Sequence, residues 1–266
     1  ALGGFIFYNT NVLNEYTTAS DKMERRAEYE RRYGRYEGVL QPWLTGTSLR
    51  VEIHPERREV EIGGTYRLAN SSTVAIDSIH VATAPDVETG TLSFDRPAAR
   101  VLVDEDLGHR IYRLETPLQP GDSLLLSFEV HFKPRGFPNR GVDASVFANG
   151  TWFTNEDWLP AIGYQPSREL TNPGDRRSHG LAPHPGVPSL YDVAARRHRT
   201  NAERIAFDAV VGTAEGQVAV APGVLRRTWS DGGRRYFRYS TDAPIENRYD
   251  FFSADYAVHE EQWSPS

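Results

Sequence analysis

The chain has no cysteine and a single methionine. A disulfide framework and a thiolate metal site are both excluded, and the thiol count leaves the redox compartment open. No stretch approaches the roughly 18 apolar residues that a membrane-spanning helix needs. Glycine is present, but not as a phosphate-cradling loop of the Walker type. Positive charge is short: 30 basic against 36 acidic residues give a formal charge of -6. A general nucleic-acid binder needs a net basic face to neutralise phosphates, so that class is excluded. The densest basic cluster, Arg196, Arg197, His198 and Arg199, reads as a solvated helix face. At 266 residues the chain can bury a sizeable core, as one large all-β unit or as two smaller domains.

Bulky aromatics and acid groups concentrate between Asn149 and Tyr164, in the string N-G-T-W-F-T-N-E-D-W-L-P-A-I-G-Y. Trp152, Phe153 and Trp158 supply apolar area, Asn155, Glu156 and Asp157 supply polar groups, and Pro160 with Gly163 ends regular structure. The plain reading is a core strand running into a turn. A sharper one makes the stretch a site edge.

The chain starts with Leu2, Phe5, Ile6, Phe7 and Tyr8 among two glycines and no charge. Two readings fit: the last turn of a membrane helix with Tyr8 at the interface, or a first strand pairing into a sheet. From Ser20 to Glu37 the sequence is highly charged, with Met23, Ala27, Tyr29, Tyr33 and Tyr36 spaced mainly by three or four, which predicts an amphipathic helix docking by its tyrosine stripe. Ser20 or Asp21 is the expected cap, Gly34 weakens the last turn, and Pro42 prevents continuation.

Strand signals begin at Ser48. Leu49, Val51 and Ile53 alternate with Arg50, Glu52 and His54, putting one face inward and one toward water. Val60 to Tyr66, Val74 to Val81, a hairpin of Val101 to Val103 with Ile111 to Leu114 around Gly108, and Leu124 to Phe132 follow. The region 165–201 holds Pro166, Pro173, Pro183, Pro185 and Pro188 and leaves little room for regular structure apart from a short helix over Leu190 to His198. Strands resume at Ala206 to Val211, Gln217 to Val220, Leu225 to Trp229, Tyr236 to Tyr239 and Tyr249 to Val258, with a hairpin turn at Asp231-Gly232-Gly233. The pattern predicts a mainly β fold, an antiparallel saddle-like β-sandwich with an N-terminal helical arm and a long Pro-rich loop region.

Three fragments invite an enzymatic reading and fail on context. Gly121-Asp122-Ser123-Leu124 is a hydrolase signature, but here it opens a strand, and no Asp-x-x-His near the C-terminus completes a triad. His259-Glu260-Glu261-Gln262-Trp263 begins like a zinc-protease motif but has Trp263 where the second His must stand. His179 and His184, with Asp175 nearby, offer a weak metal site against the plainer reading of solvated loop histidines.

Two blocks resemble a known family. One is Phe7-Tyr8-Asn9-Thr10-Asn11-Val12-Leu13-Asn14-Glu15-Tyr16 with Ala27-Glu28-Tyr29-Glu30. The other joins Asn149-Gly150-Thr151 to Leu159-Pro160-Ala161-Ile162-Gly163-Tyr164, then Arg168-Glu169-Leu170, Asp175-Arg176-Arg177 and Ala194-Ala195-Arg196. Together they resemble the non-catalytic N-terminal portion of the zinc aminopeptidase-like domain fused to bacterial ABC-2-type transporter permeases. More distantly, Leu49 to Asn70 with Ala219, Pro222 and Gly223 look like the N-terminal saddle-shaped β-domain of the aminopeptidase N family.

The resemblance implies an extracytoplasmic, membrane-tethered domain that precedes a thermolysin-like peptidase domain of the same chain. It implies a juxtamembrane arm with an amphipathic helix over 1–45 and a saddle-like β-domain over 46–266, with the irregular insertion 165–201. Zinc is expected in the peptidase domain, and no cofactor, metal or catalytic residue carries over to this stretch. A peptide is the implied substrate of the whole protein. In the aminopeptidase N family the segment matching Phe153-Thr154-Asn155-Glu156 contributes a Gln or Glu near the substrate's free amine. Asn155 falls closest to that position, one methylene shorter than Gln, with Glu156 beside it; Trp158 and Tyr164 are the expected apolar border of the cleft. The alternatives are that Asn155 caps a turn while Glu156 faces solvent, and that the whole chain is an independent β-sandwich binding module holding peptide or glycan on Trp152 and Trp158.

Overall fold

The computed structural model describes residues 2–184, 189, 191, 204–259 and 261. The expected helix over Leu190 to His198, the basic cluster at Arg196 to Arg199 and the residues Glu260, Gln262 and Trp263 lie outside the described residues.

The arm has two unlike helices. Helix α1, Leu2–Phe7, continues as a π-helical turn over Tyr8–Leu13. Of the two readings of this stretch, the first strand is not what forms. The cause is local: the side chains of Asn9, Thr10 and Asn11 donate to the carbonyls four residues back, at 2.9 Å on Phe5, 3.0 Å on Ile6 and 3.3 Å on Phe7. Those bonds close helical turns that a strand would leave open. Helix α2, Ala19–Tyr33, starts one residue after Thr18, whose Oγ1 accepts from the Asp21 N–H at 3.1 Å while Asp21 Oδ2 accepts from the Thr18 N–H at 2.7 Å. This reciprocal box makes Thr18 the cap instead of Ser20 or Asp21, because the capping oxygen must reach the N–H three residues on. The α-helix ends at Tyr33, and Gly34, expected to weaken the last turn, opens a 3-10 turn over Gly34–Tyr36 instead.

The β part contains β1 (Trp43–His54), β2 (Glu59–Ala69), β3 (Ile76–Ala82), β4 (Ala98–Asp104), β5 (His109–Leu118), β6 (Ser123–Phe132), β7 (Gly150–Thr154), β8 (Arg204–Ala214), β9 (Val218–Val220), β10 (Val224–Asp231), β11 (Arg234–Ser240) and β12 (Asp250–Ala254). The largest sheet runs β10-β11-β8-β1-β2-β6, with short edge pairings added. A second sheet runs β9-β12-β7 and ends on Val146–Phe147, and a third runs β4-β5-β3 and ends on Ala161–Ile162. The fold is mainly β, built of several antiparallel sheets with short helices at the N-terminus. One pairing departs from antiparallel: β1 and β8 run parallel, with Val51 opposite Val211. The long excursion between them supplies the crossover that parallel neighbours require.

Period-two alternation makes the core. Leu49, Val51 and Ile53 from β1, Val60 and Ile62 from β2, Leu124, Leu126, Phe128 and Val130 from β6, and Phe207, Ala209 and Val211 from β8 all point into one continuous apolar cluster. Ser123 of the Gly-Asp-Ser-Leu string merely begins β6, after a turn in which Gly121 N–H donates to Asn70 O at 2.8 Å. The Pro-rich region carries more structure than expected. Pro166 opens a 3-10 turn, Pro166–Arg168, and Pro173 opens helix α3, Pro173–Ser178, both at positions where a missing N–H costs nothing.

Candidate functional site

Strand β7 runs directly into a single helical turn, Asn155–Trp158, so the acid-rich segment sits on a corner. Thr154 caps the turn by accepting from the Glu156 N–H at 3.1 Å. Asn155 is buried and its amide is fully engaged: Oδ1 accepts from the Tyr249 N–H at 2.8 Å, and Nδ2 faces the backbone and side-chain oxygens of Asn247, each at 3.3 Å. It holds the approach to β12 and does not project from an edge. Glu156 is exposed, with Arg248 Nε 3.8 Å away. Of the two polar candidates, it is the one whose carboxylate is open to an incoming ammonium.

The expected apolar border divides. Trp158 is 3% exposed and stacks between Phe132 and Phe153, with centroids 4.4 and 4.1 Å away, so it belongs to the core and not to a cleft rim. The density of apolar neighbours that singled the stretch out in sequence is what buries it. Tyr164 lies elsewhere, half-buried under the arm, stacked on Tyr29 at 5.1 Å.

That second location gathers more chemistry than the first. Tyr29 and Tyr33 of α2, with Tyr36 just beyond, lie over His80 of β3 and His109 of β5. The Tyr33 ring stacks on His109 at 4.3 Å and Tyr36 meets His80 edge-on at 4.6 Å. The tyrosine stripe thus docks the arm, as its spacing predicts. His109 is fully buried, with Nε2 3.3 Å from His80 Nδ1 and its own Nδ1 without a hydrogen-bond partner among the described residues. Gly108 precedes it in the left-handed region (φ +63), and a Cβ there would collide with Thr83 O; that close approach lets Thr83 N–H donate to Gly108 O at 2.9 Å and seats His109 under the arm. Arg168 closes the cluster by donating to Thr83 O at 2.9 Å and Gly108 O at 3.0 Å.

The electrostatics keep the cluster neutral at its centre. Burial, then His80 and the Arg168 guanidinium, push His109 down to about 4. Burial also pushes His80 down and Tyr29 up. Burial and the hydrogen bond to Asp104 raise Tyr33, whose hydroxyl donates at 2.5 Å. Burial and a 2.7 Å bond to Glu169 raise Tyr164. Neutral imidazoles and protonated phenols let these rings pack against one another without burying a charge of their own. Around it, Arg176 is buried and pairs with Glu30 of α2 at 2.6 Å, Arg26 donates to Glu169 O at 2.8 Å, and the Gln165 N–H donates to the Tyr29 hydroxyl at 2.9 Å across 136 positions of sequence.

His179 and His184 go to different carboxylates, Glu24 at 3.7 Å and Glu169 at 3.2 Å, and no shared metal position forms between them. Among the described residues no group of three or more His, Cys, Asp or Glu could hold a metal ion. Sequence reasoning missed His80 and His109. The available signal was His80 between Ile79 and Val81, on the face of β3 opposite the core, and alternation does not reveal that a distant helix covers that face.

No family model matches the chain, nor does any curated protein sequence. Solved structures do. The chain is similar to the crystal structure of a mutant M1 zinc metallopeptidase from Deinococcus radiodurans (TM-score 0.50, 11% identity, 80% of this chain and 42% of that one). It is also similar to the unmutated enzyme (TM-score 0.49, 13% identity, the same coverage). The third is Legionella pneumophila aminopeptidase A in complex with aspartic acid (TM-score 0.49, 8% identity, 82% of this chain and 22% of that one). The chain spans less than half of each of these proteins. At such identities the likeness is one of fold.

Proposed function

We propose that this chain is the non-catalytic N-terminal β-domain of a membrane-tethered, extracytoplasmic zinc aminopeptidase-like protein associated with an ABC transporter permease. Its role in that reading is to shape the cleft of a zinc-bearing peptidase domain that follows in the same chain and takes a peptide substrate. The supporting fold likeness is to a part of an M1 zinc metallopeptidase. The observation that carries the reading is that its two resemblance blocks converge. Tyr29 and Glu30 of the first meet Tyr164, Glu169 and Arg176 of the second in one buried seam. Residues that keep an arm on a β-domain are the ones a shared scaffold needs. Within the cleft-lining proposal, Glu156 takes the role of the carboxylate near the substrate amine, and Asn155 positions it by fixing the corner.

The test compares aminoacyl reporter hydrolysis by the 266-residue chain with hydrolysis by the gene product extended through its next several hundred residues. Turnover by the extended protein only, abolished by a chelator, supports the reading. Chelator-sensitive turnover by the chain alone overturns it.

One observation favours the binding-module alternative. Trp152 and Phe252 are cross-strand partners on the outer face of the second sheet, both exposed, with Trp152 Nε1 donating to Asp250 Oδ1 at 3.3 Å. Quenching of tryptophan fluorescence by peptide or glycan, lost in Trp152→Ala, would select that reading.

A further inference from the structure

The exposed helix of the arm has its polarity graded along its axis, not around it. Phe5, Ile6 and Phe7 are consecutive, so they point to different sides of α1, and all three are exposed. Leu2, Tyr8 and Val12 are exposed as well. A helix that docks in a protein groove shows one apolar stripe, whereas a helix apolar on every side is suited to lipid. Along the chain the order is apolar (Leu2 to Phe7), then Tyr8, then the amides and hydroxyl of Asn9, Thr10 and Asn11, with no charge before Glu15. Aromatic rings with a polar tip settle where hydrocarbon meets headgroups.

This helix is bolted to the β-domain. Asn14 Nδ2 donates both to Asn9 O at 2.9 Å and to Arg135 O at 2.8 Å. Asn139 and Thr17 exchange two bonds: Asn139 Nδ2 donates to Thr17 O at 2.8 Å, and Thr17 N–H donates to Asn139 Oδ1 at 3.2 Å. Phe5 packs on Phe137 with centroids 5.8 Å apart. Gly136 has φ +55, and a Cβ there would collide with Asn9 Oδ1, so only glycine admits the helix this close to the loop. The same loop, residues 133–140, presents the exposed basic side chains Lys133, Arg135 and Arg140. Lys133 pairs with Glu59 at 3.1 Å and Arg140 with Asp86, whereas Arg135 has no carboxylate partner among the described residues.

We infer that α1 and the 133–140 loop form one lipid-facing platform, which inserts the helix into a bilayer and sets the β-domain on it with Arg135 at the phosphate level. The inference rests on the membrane part of the proposed function and is independent of its peptidase part. Because Asn14, Thr17 and Phe5 tie the arm to this loop, the platform fixes which edge of the β-domain faces the membrane.

The absence of cysteine allows single-site spin labels at Arg135→Cys and, in the β10–β11 turn, at Gly232→Cys. The 266-residue chain is mixed with phosphatidylcholine vesicles with and without added phosphatidylglycerol. The chain is expected to co-sediment, and Phe5→Ser with Phe7→Ser to lower its partition on the order of a hundredfold while the circular dichroism stays unchanged, since both rings are largely exposed. Leu2→Ser is a milder variant expected to act in the same direction. Arg135→Gln is expected to weaken binding about fivefold on the phosphatidylglycerol vesicles only. The label at position 135 is expected at headgroup depth and the label at position 232 in bulk water. Failure of the chain to co-sediment, or equal depth at both labels, overturns the platform. Aminoacyl reporter activity of the extended protein reads the peptidase proposal separately.

Discussion

The two helices of the arm invert what composition suggests. Helix α1 is apolar and uncharged yet lies in the open, while α2, whose sequence is dense with Glu and Arg, buries Ala27, Tyr29 and Tyr33. Apolar content alone does not bury a helix. A stripe at helical spacing opposite a matching surface does, and α2 has that surface in His80, His109, Tyr164 and Arg168. Its intrahelical ion pairs, such as Arg32 with Glu28 at 2.5 Å, lie at the surface and contribute little, whereas the pair of Glu30 with Arg176 is buried. The tyrosines and that buried pair hold the helix.

Substituting the stripe gives the largest expected effect. Tyr29→Ala removes a buried ring and the acceptor of the Gln165 N–H, and a loss of about 3–5 kcal/mol in urea unfolding is expected. Glu30→Gln comes next. It leaves the buried Arg176 guanidinium with Glu169 at 3.9 Å as its nearest remaining carboxylate, and costs about 3 kcal/mol by the same measurement.

Acidity should loosen the seam of α2 and leave α1, which carries no titratable group except Tyr8, unaffected. His109 is held near 4 in the folded chain and returns to its ordinary value of 6.5 when unfolded, so the unfolded chain binds the proton first. The stability it lends is complete above pH 6.5 and is lost as pH falls toward 4, by up to roughly 3 kcal/mol. His80 is shifted in the same direction and adds to the loss. At Asp104 burial pushes the carboxyl up, but the bonds from Tyr33 and the Leu107 N–H outweigh it and hold the carboxyl below 3.8. Its contribution therefore disappears only at lower pH, which separates it from the imidazoles. Urea midpoints measured across this range should flatten between pH 6.5 and 4 in His109→Gln. A midpoint curve unchanged by that substitution would put the acid sensitivity elsewhere.

Thr18→Ala should cost about 1 kcal/mol, since it removes the cap of α2 without touching its packing. The smallest effect belongs to α1. Phe7→Ser should change the stability of the lipid-free chain by less than about 0.5 kcal/mol, as expected of a surface position.

Much of this comparison was written in the sequence. Met23, Ala27, Tyr29, Tyr33 and Tyr36 marked the docking face of α2, and alternation located β1, β2, β6 and β8 because a half-buried strand must alternate. The Asp231-Gly232-Gly233 turn joins β10 to β11 as expected. What stayed hidden depends on partners far away in the chain. Alternation reports which face of a strand is buried and not the direction of its neighbour, so the parallel pairing of β1 with β8 left no local mark. His80 and His109 read as ordinary residues until the arm is laid over them. Trp158 misled for the opposite reason: a tryptophan beside acids suits a cleft edge or a core equally well, and Phe132, from another strand, decides between them.

Hydrogen exchange along the arm tests the central contrast most directly. Measured in the lipid-free chain at neutral pH, the amides of α2 should exchange with protection close to that of the β1 and β6 core strands, and those of residues 2–8 should be nearly unprotected. Equal, weak protection in both helices would mean that the tyrosine seam does not hold the arm, and would contradict the account.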